Sequence, residues 1–341
     1  MSIRYRPALK HIALVRISHG ILRTFDLQAI KTDFLTLKGD VSDEYSSKII
    51  SKISFLNDKA KEKRITGIIR SLVWEFFLWI FSHDQIVHDA EINFSDICWY
   101  SHGVIDRFET AKVLVQKESI EIQYRFVLAC KYYLEDHART LWTNLSIFDR
   151  LILAREYGMV KSMWFWIDKS QTDDITDSIQ MHHNRTEIEK IYENYLGLRC
   201  YFKKLGAQAR YLCLSYGLLV GEIHHFDLYL CFSELTFDEA KDVFRHLSAS
   251  RRLRVMELFL HWPLQFIFVE ILENIWSLIS QFNFRNILRY ILEERIDKNW
   301  EDVDYAQLVE KIWARCPTSY KKSLKKDKIY AKLKLLLTKK C

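Results

Sequence analysis

PLQFIFVEILENIWSLISQF, Pro263 to Phe282, is the stretch that decides the class of fold. Its apolar residues Leu264, Ile267, Ile271, Ile275, Leu278 and Phe282 return every three to four positions, with Gln265, Glu270, Glu273, Ser277 and Gln281 between them. That period is one face of an α-helix. Proline suits a first helical position, where its missing N–H costs nothing, so a helix is expected to begin at Pro263. Trp262 is pushed toward extended geometry by the proline, which separates this helix from the one upstream.

The same reading extends on both sides. Asn283 is expected to cap a helix with Phe284, Ile287, Leu288, Ile291 and Leu292 on one face. A further helix with Tyr305, Leu308, Val309, Ile312 and Trp313 should end before Pro317. Upstream, Thr236 and Glu239 make a capping box ahead of Ala240, Val243, Phe244 and Leu247. Short turns between such helices make antiparallel neighbours. The whole chain has only nine glycines and three prolines, so little interrupts long helical runs. No Asn-Gly or Asp-Gly hairpin turn occurs. The expectation is an all-α protein.

An internal echo points to repetition. Ser18 to Asp26 reads SHGILRTFD and Ser101 to Glu109 reads SHGVIDRFE, while Gly158 and Gly217 sit in YGMV and YGLL. Each glycine fits the left-handed position that ends a helix. The apolar stretch ending in Tyr-Gly resembles the end of the second helix of an ankyrin repeat. Arg125 to Trp142, RFVLACKYYLEDHARTLW, is similar to units of a divergent ankyrin-like α-helical repeat family of arachnids. The resemblance implies an irregular α-solenoid of stacked antiparallel helix pairs and carries no activity with it. TPLHxA occurs nowhere and three prolines cannot supply one per repeat, so a plain helical array without finger loops is expected.

Charge divides the chain unevenly. Residues 317–341 hold nine lysines and one acid, Asp327, a local charge of +8 within a total of +6, so the remainder carries −2. We therefore expect a helical array over residues 1–316, with a subdivision near 170–186, followed by a lysine-rich terminal helix or cap over 317–341. The strongest apolar stretches are broken by Glu75, by Glu222 and Asp227, and by Glu257, His261, Pro263 and Glu270, so no transmembrane segment is expected. The N-terminal residues do not read as a secretory signal. Seven cysteines, no two within four residues of each other, read as free thiols of an intracellular protein, cytoplasmic or nuclear.

Candidate chemistry is sparse. His182-His183 and His224-His225 are adjacent pairs, and neighbours on a helix point about 100° apart rather than converging as HxxxH does. His83 and His88, five apart, converge poorly. No cofactor or metal is expected. His19 and His102 read as helix-end histidines rather than partners of a serine nucleophile. Cys98, Cys130 and Cys213 lie in apolar surroundings and read as buried thiols. Trp164, Phe165 and Trp166 read as core rather than as a base-stacking platform. Arg251, Arg252 and Arg254 form a basic cluster at a helix start. Lys321, Lys322, Lys325, Lys326 and Lys328 remain as contacts for phosphates, nucleic acid or an anionic surface. The function expected from these features is a protein-interaction scaffold or adaptor whose partner is another protein. The alternatives are a nuclear or nucleic-acid-associated protein using the basic segment, and an enzyme whose site is assembled from distant residues.

Overall fold

The computed structural model describes residues 5–26, 29–30, 33–34, 41–87, 92–156, 196–220 and 223–338. Among the described residues there are 17 α-helices and no strand, with Trp99 and Ile105 forming an isolated antiparallel bridge. The chain is all-α. The helices are α1 (Leu9–Leu22), α2 (Asp43–Ile53), α3 (Lys59–Val87), α4 (Arg107–Gln116), α5 (Ile122–Lys131), α6 (Glu135–Asn144), α7 (Ile147–Glu156), α8 (Leu198–Phe202) and α9 (Ala207–Val220). They continue as α10 (His225–Glu234), α11 (Phe237–His246), α12 (Ala249–Leu258), α13 (Phe268–Ile275), α14 (Gln281–Arg289), α15 (Tyr305–Arg315), α16 (Thr318–Leu324) and α17 (Ile329–Thr338). The chain divides into two compact units. One comprises Met1–Phe76, Tyr100–Val104 and Phe232–Cys341, the other Phe77–Trp99 and Ile105–Cys231. The subdivision expected near 170–186, Gly158, His88, His182-His183 and Trp164 to Trp166 lie outside the described residues.

In the first unit, α3 buries Ile65, Ile68, Ile69, Leu72, Val73 and Phe76 almost completely. The 25 residues Lys59–His83 are long and apolar enough to cross a membrane by length and composition, and 61% of the most apolar 18-residue window is buried in the protein. Glu75, inside this stretch, is itself buried. Gly67 lets another segment touch the helix, since a β-carbon there would stand 2.4 Å from the backbone carbon of Glu301. Behind it lies a sealed ionic knot. Ser71 and Gln265 donate to Asp302 Oδ2 at 3.1 and 3.2 Å, and Gln265 also donates to the Tyr305 hydroxyl at 3.2 Å. The Trp300 ring is held between two guanidinium groups, Arg70 at 3.8 Å and Arg295 at 4.4 Å from its centroid. Burial raises the Asp302 carboxyl above its ordinary range, partly opposed by Arg295.

The quoted stretch folds differently from the single helix expected. The Trp262–Pro263 peptide is cis, Leu264–Phe266 forms a 3₁₀ turn, and α13 starts only at Phe268. Gln265, placed on the polar face by the pattern, is instead buried because Asp302 and Tyr305 accept its amide. The helix stops at Ile275 and a new one starts at Gln281, with Ser280 rather than Asn283 as the cap. Tertiary partners take up the carbonyls freed at the break. The Tyr320 hydroxyl donates to Ile279 O at 2.6 Å and Arg252 donates to Leu278 O at 2.8 Å. From Tyr290 to Ile296 the next helix continues as a π-helix. The Thr236–Glu239 capping box and the end of α15 before Pro317 are as expected.

The glycine echo is not a structural repeat. Gly20 lies inside α1 and Gly217 inside α9, whereas Gly103 sits in a turn at φ 81°, closed by Gly103 N–H donating to Tyr100 O. A different pattern does recur, at four helix–turn–helix corners. It is an aromatic, then Leu or Cys three residues on, then Ser, Gly or Pro, then a basic residue eight after the aromatic. The instances are Trp142-Leu145-Ser146-Arg150 and Phe202-Leu205-Gly206-Arg210 in one unit. Phe244-Leu247-Ser248-Arg252 and Trp313-Cys316-Pro317-Lys321 belong to the other. Each basic side chain reaches back to carbonyls ending the preceding helix: Arg150 to Trp142 O, Arg210 to Phe202 O and Lys203 O, Arg252 to Arg245 O and Leu247 O, and Lys321 to Ala314 O. The last carbonyls of a helix have no partner within it, and a cation there also meets the negative end of the helix dipole.

Candidate functional site

The second unit gathers ionisable groups from several helices. His83 projects from the C-terminal part of α3, Arg107 starts α4, Tyr132 ends α5, Cys200 lies on α8, and His224, His225 and Asp227 open α10. The His83 Nδ1 lies 2.6 Å from Trp79 O, a group that only accepts, so Nδ1 carries the proton. Nε2 is then the acceptor for the Tyr132 hydroxyl at 2.7 Å. Burial, with the Arg107 guanidinium adding to it, pushes His83 down to about 3. Burial likewise raises the Tyr132 phenol far above its ordinary range. This pair is a buried, neutral hydrogen-bond unit.

His224 and His225 correct a sequence expectation. Their imidazole centroids lie 4.1 Å apart, so the adjacent histidines converge. The 100° offset of helical neighbours does not apply, because α10 starts at His225 and His224 precedes it, its carbonyl accepting from Leu228 N at 2.9 Å. The Asp227 carboxylate stands 4.0 Å from His224 Nδ1, and all three residues are buried. The signal available in sequence was the tetrapeptide His-His-Phe-Asp at a helix start. Its meaning depended on where the helix began.

The thiols of Cys98, Cys130, Cys200 and Cys213 are protonated at neutral pH. Burial pushes Cys130, Cys200 and Cys213 each up to about 12, and the Asp227 carboxylate adds to the rise at Cys200. Cys98 is raised for the same first reason; of the three thiols expected to be buried, Cys213 is, while Cys98 and Cys130 are half-buried. His19 lies in the last turn of α1 as expected, but burial and Arg23 hold it down to about 4, outweighing the helix dipole. His102 belongs to the Gly103 turn rather than a helix, stacks on Tyr100 at 5.2 Å, and is held down to about 4 by burial.

The basic segment forms α16, the turn after it and α17 of the first unit, packed through the buried Leu324, Ile329 and Leu333. Lys321 is half-buried at its corner, 5.6 Å from the Trp313 ring centroid. Lys322, Lys325, Lys326 and Lys328 are exposed and, among the described residues, form no ion pair. Asp327 between them is engaged by Arg285 at 3.0 Å. Arg252 of the upstream basic cluster is committed to its corner. A shallow cleft elsewhere in this unit runs between α11 and the end of α13, with Phe237, Phe244 and Ile275 as apolar lining and Lys241, Asn274 and Ser277 as polar lining. Comparison with known families, with curated proteins and with solved structures finds no match.

Proposed function

We propose that this chain is an intracellular protein-interaction scaffold, an irregular solenoid of antiparallel helix pairs of ankyrin-like character. The observation that carries the reading is the corner pattern, which occurs four times with the same aromatic, small and basic positions. Repeated helical units bury their faces against neighbours and offer extended surfaces to macromolecules. The chemistry of the described residues agrees. His83 is buried and neutral, and the Cys130 and Cys213 thiols are protonated, while large apolar side chains are exposed, Ile147, Phe148 and Leu151 on α7 and Phe237 on α11. Affinity capture from the native cell, with wild type compared against Phe237→Ser and Leu151→Ser, tests the proposal. A stoichiometric protein partner lost in one of these variants is the expected result. Absence of any partner together with turnover of a small molecule would overturn it.

A second reading has its own observation. Four exposed lysines on one docked segment, Lys322, Lys325, Lys326 and Lys328, suit a nuclear or nucleic-acid-associated protein.

A further inference from the structure

Lysines on a solvated helix are ordinary; accessible aromatic rings set among them are not. Phe282, at the start of α14 in the first unit, is 56% exposed, with the Arg285 guanidinium 5.2 Å from its ring centroid. Arg285 also holds Asp327 at 3.0 Å, which ties this ring to the turn bearing Lys325, Lys326 and Lys328. The half-buried Trp313 and Tyr330 rings lie 6.2 Å apart, and the Lys321 ammonium stands 5.6 Å from the Trp313 ring. Acids on these elements are matched by cations of their own. Asp327 is held by two guanidinium groups, Arg285 and Arg289, while Asp297 pairs with Lys332 and Glu273 with Arg315. Lys322, Lys325, Lys326 and Lys328 are exposed and form no ion pair among the described residues.

A surface that is cationic and also presents aromatic rings suits a single strand. Phosphates meet the cations and unpaired bases stack on the rings, a contact that a duplex, with its bases inside, does not offer. An acidic peptide would use the charge alone. A bilayer would require a broad apolar face, whereas Leu324, Ile329 and Leu333 are buried and leave Leu335 as the exposed leucine of α17. We propose that the surface of α14 to α17 binds single-stranded nucleic acid, with Lys322, Lys325, Lys326 and Lys328 on phosphates and Phe282 as a stacking platform. The inference rests on the nucleic-acid reading above and names its substrate.

The test titrates full-length protein, at several salt concentrations, into short labelled oligouridylate and oligothymidylate strands, a duplex of the same length, and phosphatidylserine vesicles. One or both single strands should bind more tightly than the duplex, and four phosphate contacts should give log K a slope of about −3 against log salt. Phe282→Ala should weaken single-strand binding roughly 5- to 140-fold, the worth of one stacked base, and leave the weak duplex binding unchanged. Phe282→Trp should restore it, because an indole also stacks. Single strands bound no better than the duplex, or Phe282→Ala without effect, would overturn the proposal and leave the broader nucleic-acid reading standing. Binding of no nucleic acid at all would remove both, and binding confined to the vesicles would assign the surface to a membrane instead.

Discussion

Gly20 and Gly103 occupy the same tripeptide, Ser-His-Gly, and a methyl group added at each should act in opposite directions. At Gly20, inside α1, a β-carbon meets nothing within 4 Å, so Gly20→Ala should raise stability by ~0.5–1 kcal/mol. At Gly103, φ is 81° and a β-carbon would stand 2.6 Å from Leu72 Cδ2, so Gly103→Ala should lower it by more than ~1 kcal/mol. Melting temperatures that move together would contradict this assignment. The His83–Tyr132 pair gives a second expectation. Tyr132→Phe leaves the buried His83 Nε2 without its donor, a loss of ~1–3 kcal/mol readable in urea unfolding. The pair also sets a pH dependence. His83 titrates at about 3 in the fold against an ordinary 6.5, so between those values the folded protein binds fewer protons than the unfolded chain. Its contribution is whole above pH 6.5 and is lost as pH falls toward 3, with His11 and His102 at about 4 acting in the same sense. The urea midpoint should therefore drop between pH 6.5 and 5, where carboxylates are still ionised; a flat profile there would show that these histidines are not buried and neutral.

Among elements, the corners are the unit of construction. Arg252 donates to three carbonyls, Leu247 O at 2.9 Å and Arg245 O and Leu278 O at 2.8 Å, joining the end of α11 to the break after α13. Arg252→Lys keeps the charge and loses the rigid fork that reaches separate acceptors. It should cost ~1–3 kcal/mol, and Arg252→Ala more, in denaturant unfolding followed by circular dichroism. Arg251→Ala, one position away, should change little, and equal losses in the two would refute the corner role. The elements themselves were partly legible. The capping box at Thr236 and the helix from Tyr305 could be read locally, because caps and periodicity act over a few residues. The break at Trp276–Ser280 could not be read, since its carbonyls accept from Tyr320 and Arg252, both far along the chain. The SHG echo misled because identical tripeptides were given one backbone conformation, while tertiary neighbours gave them two.

For the whole molecule, the basic segment is both packed and exposed, and substitution separates the two roles. Leu324, Ile329 and Leu333 are buried in the first unit, so deleting the segment should cost stability as well as charge. Replacing the exposed Lys322, Lys325, Lys326 and Lys328 with Gln should leave the fold intact. The parent protein should bind short DNA or RNA duplexes weakly, without sequence preference and with steep loss in salt, because the rest of the chain carries −2. The quadruple variant should not bind. Tight, sequence-selective binding that survives the four substitutions would place nucleic-acid recognition elsewhere in the protein.

By itself the sequence determined the all-helical class, several caps and most of the core faces, because helix formation answers to glycine and proline content and to a 3.6-residue period. Only the tertiary structure decided which polar residues lie inside. Gln265 and Asp302 are buried because they meet each other and Tyr305, and the closeness of the His224 and His225 rings follows from where α10 begins. Burial of a polar group depends on partners distant in sequence, and a local pattern does not contain them.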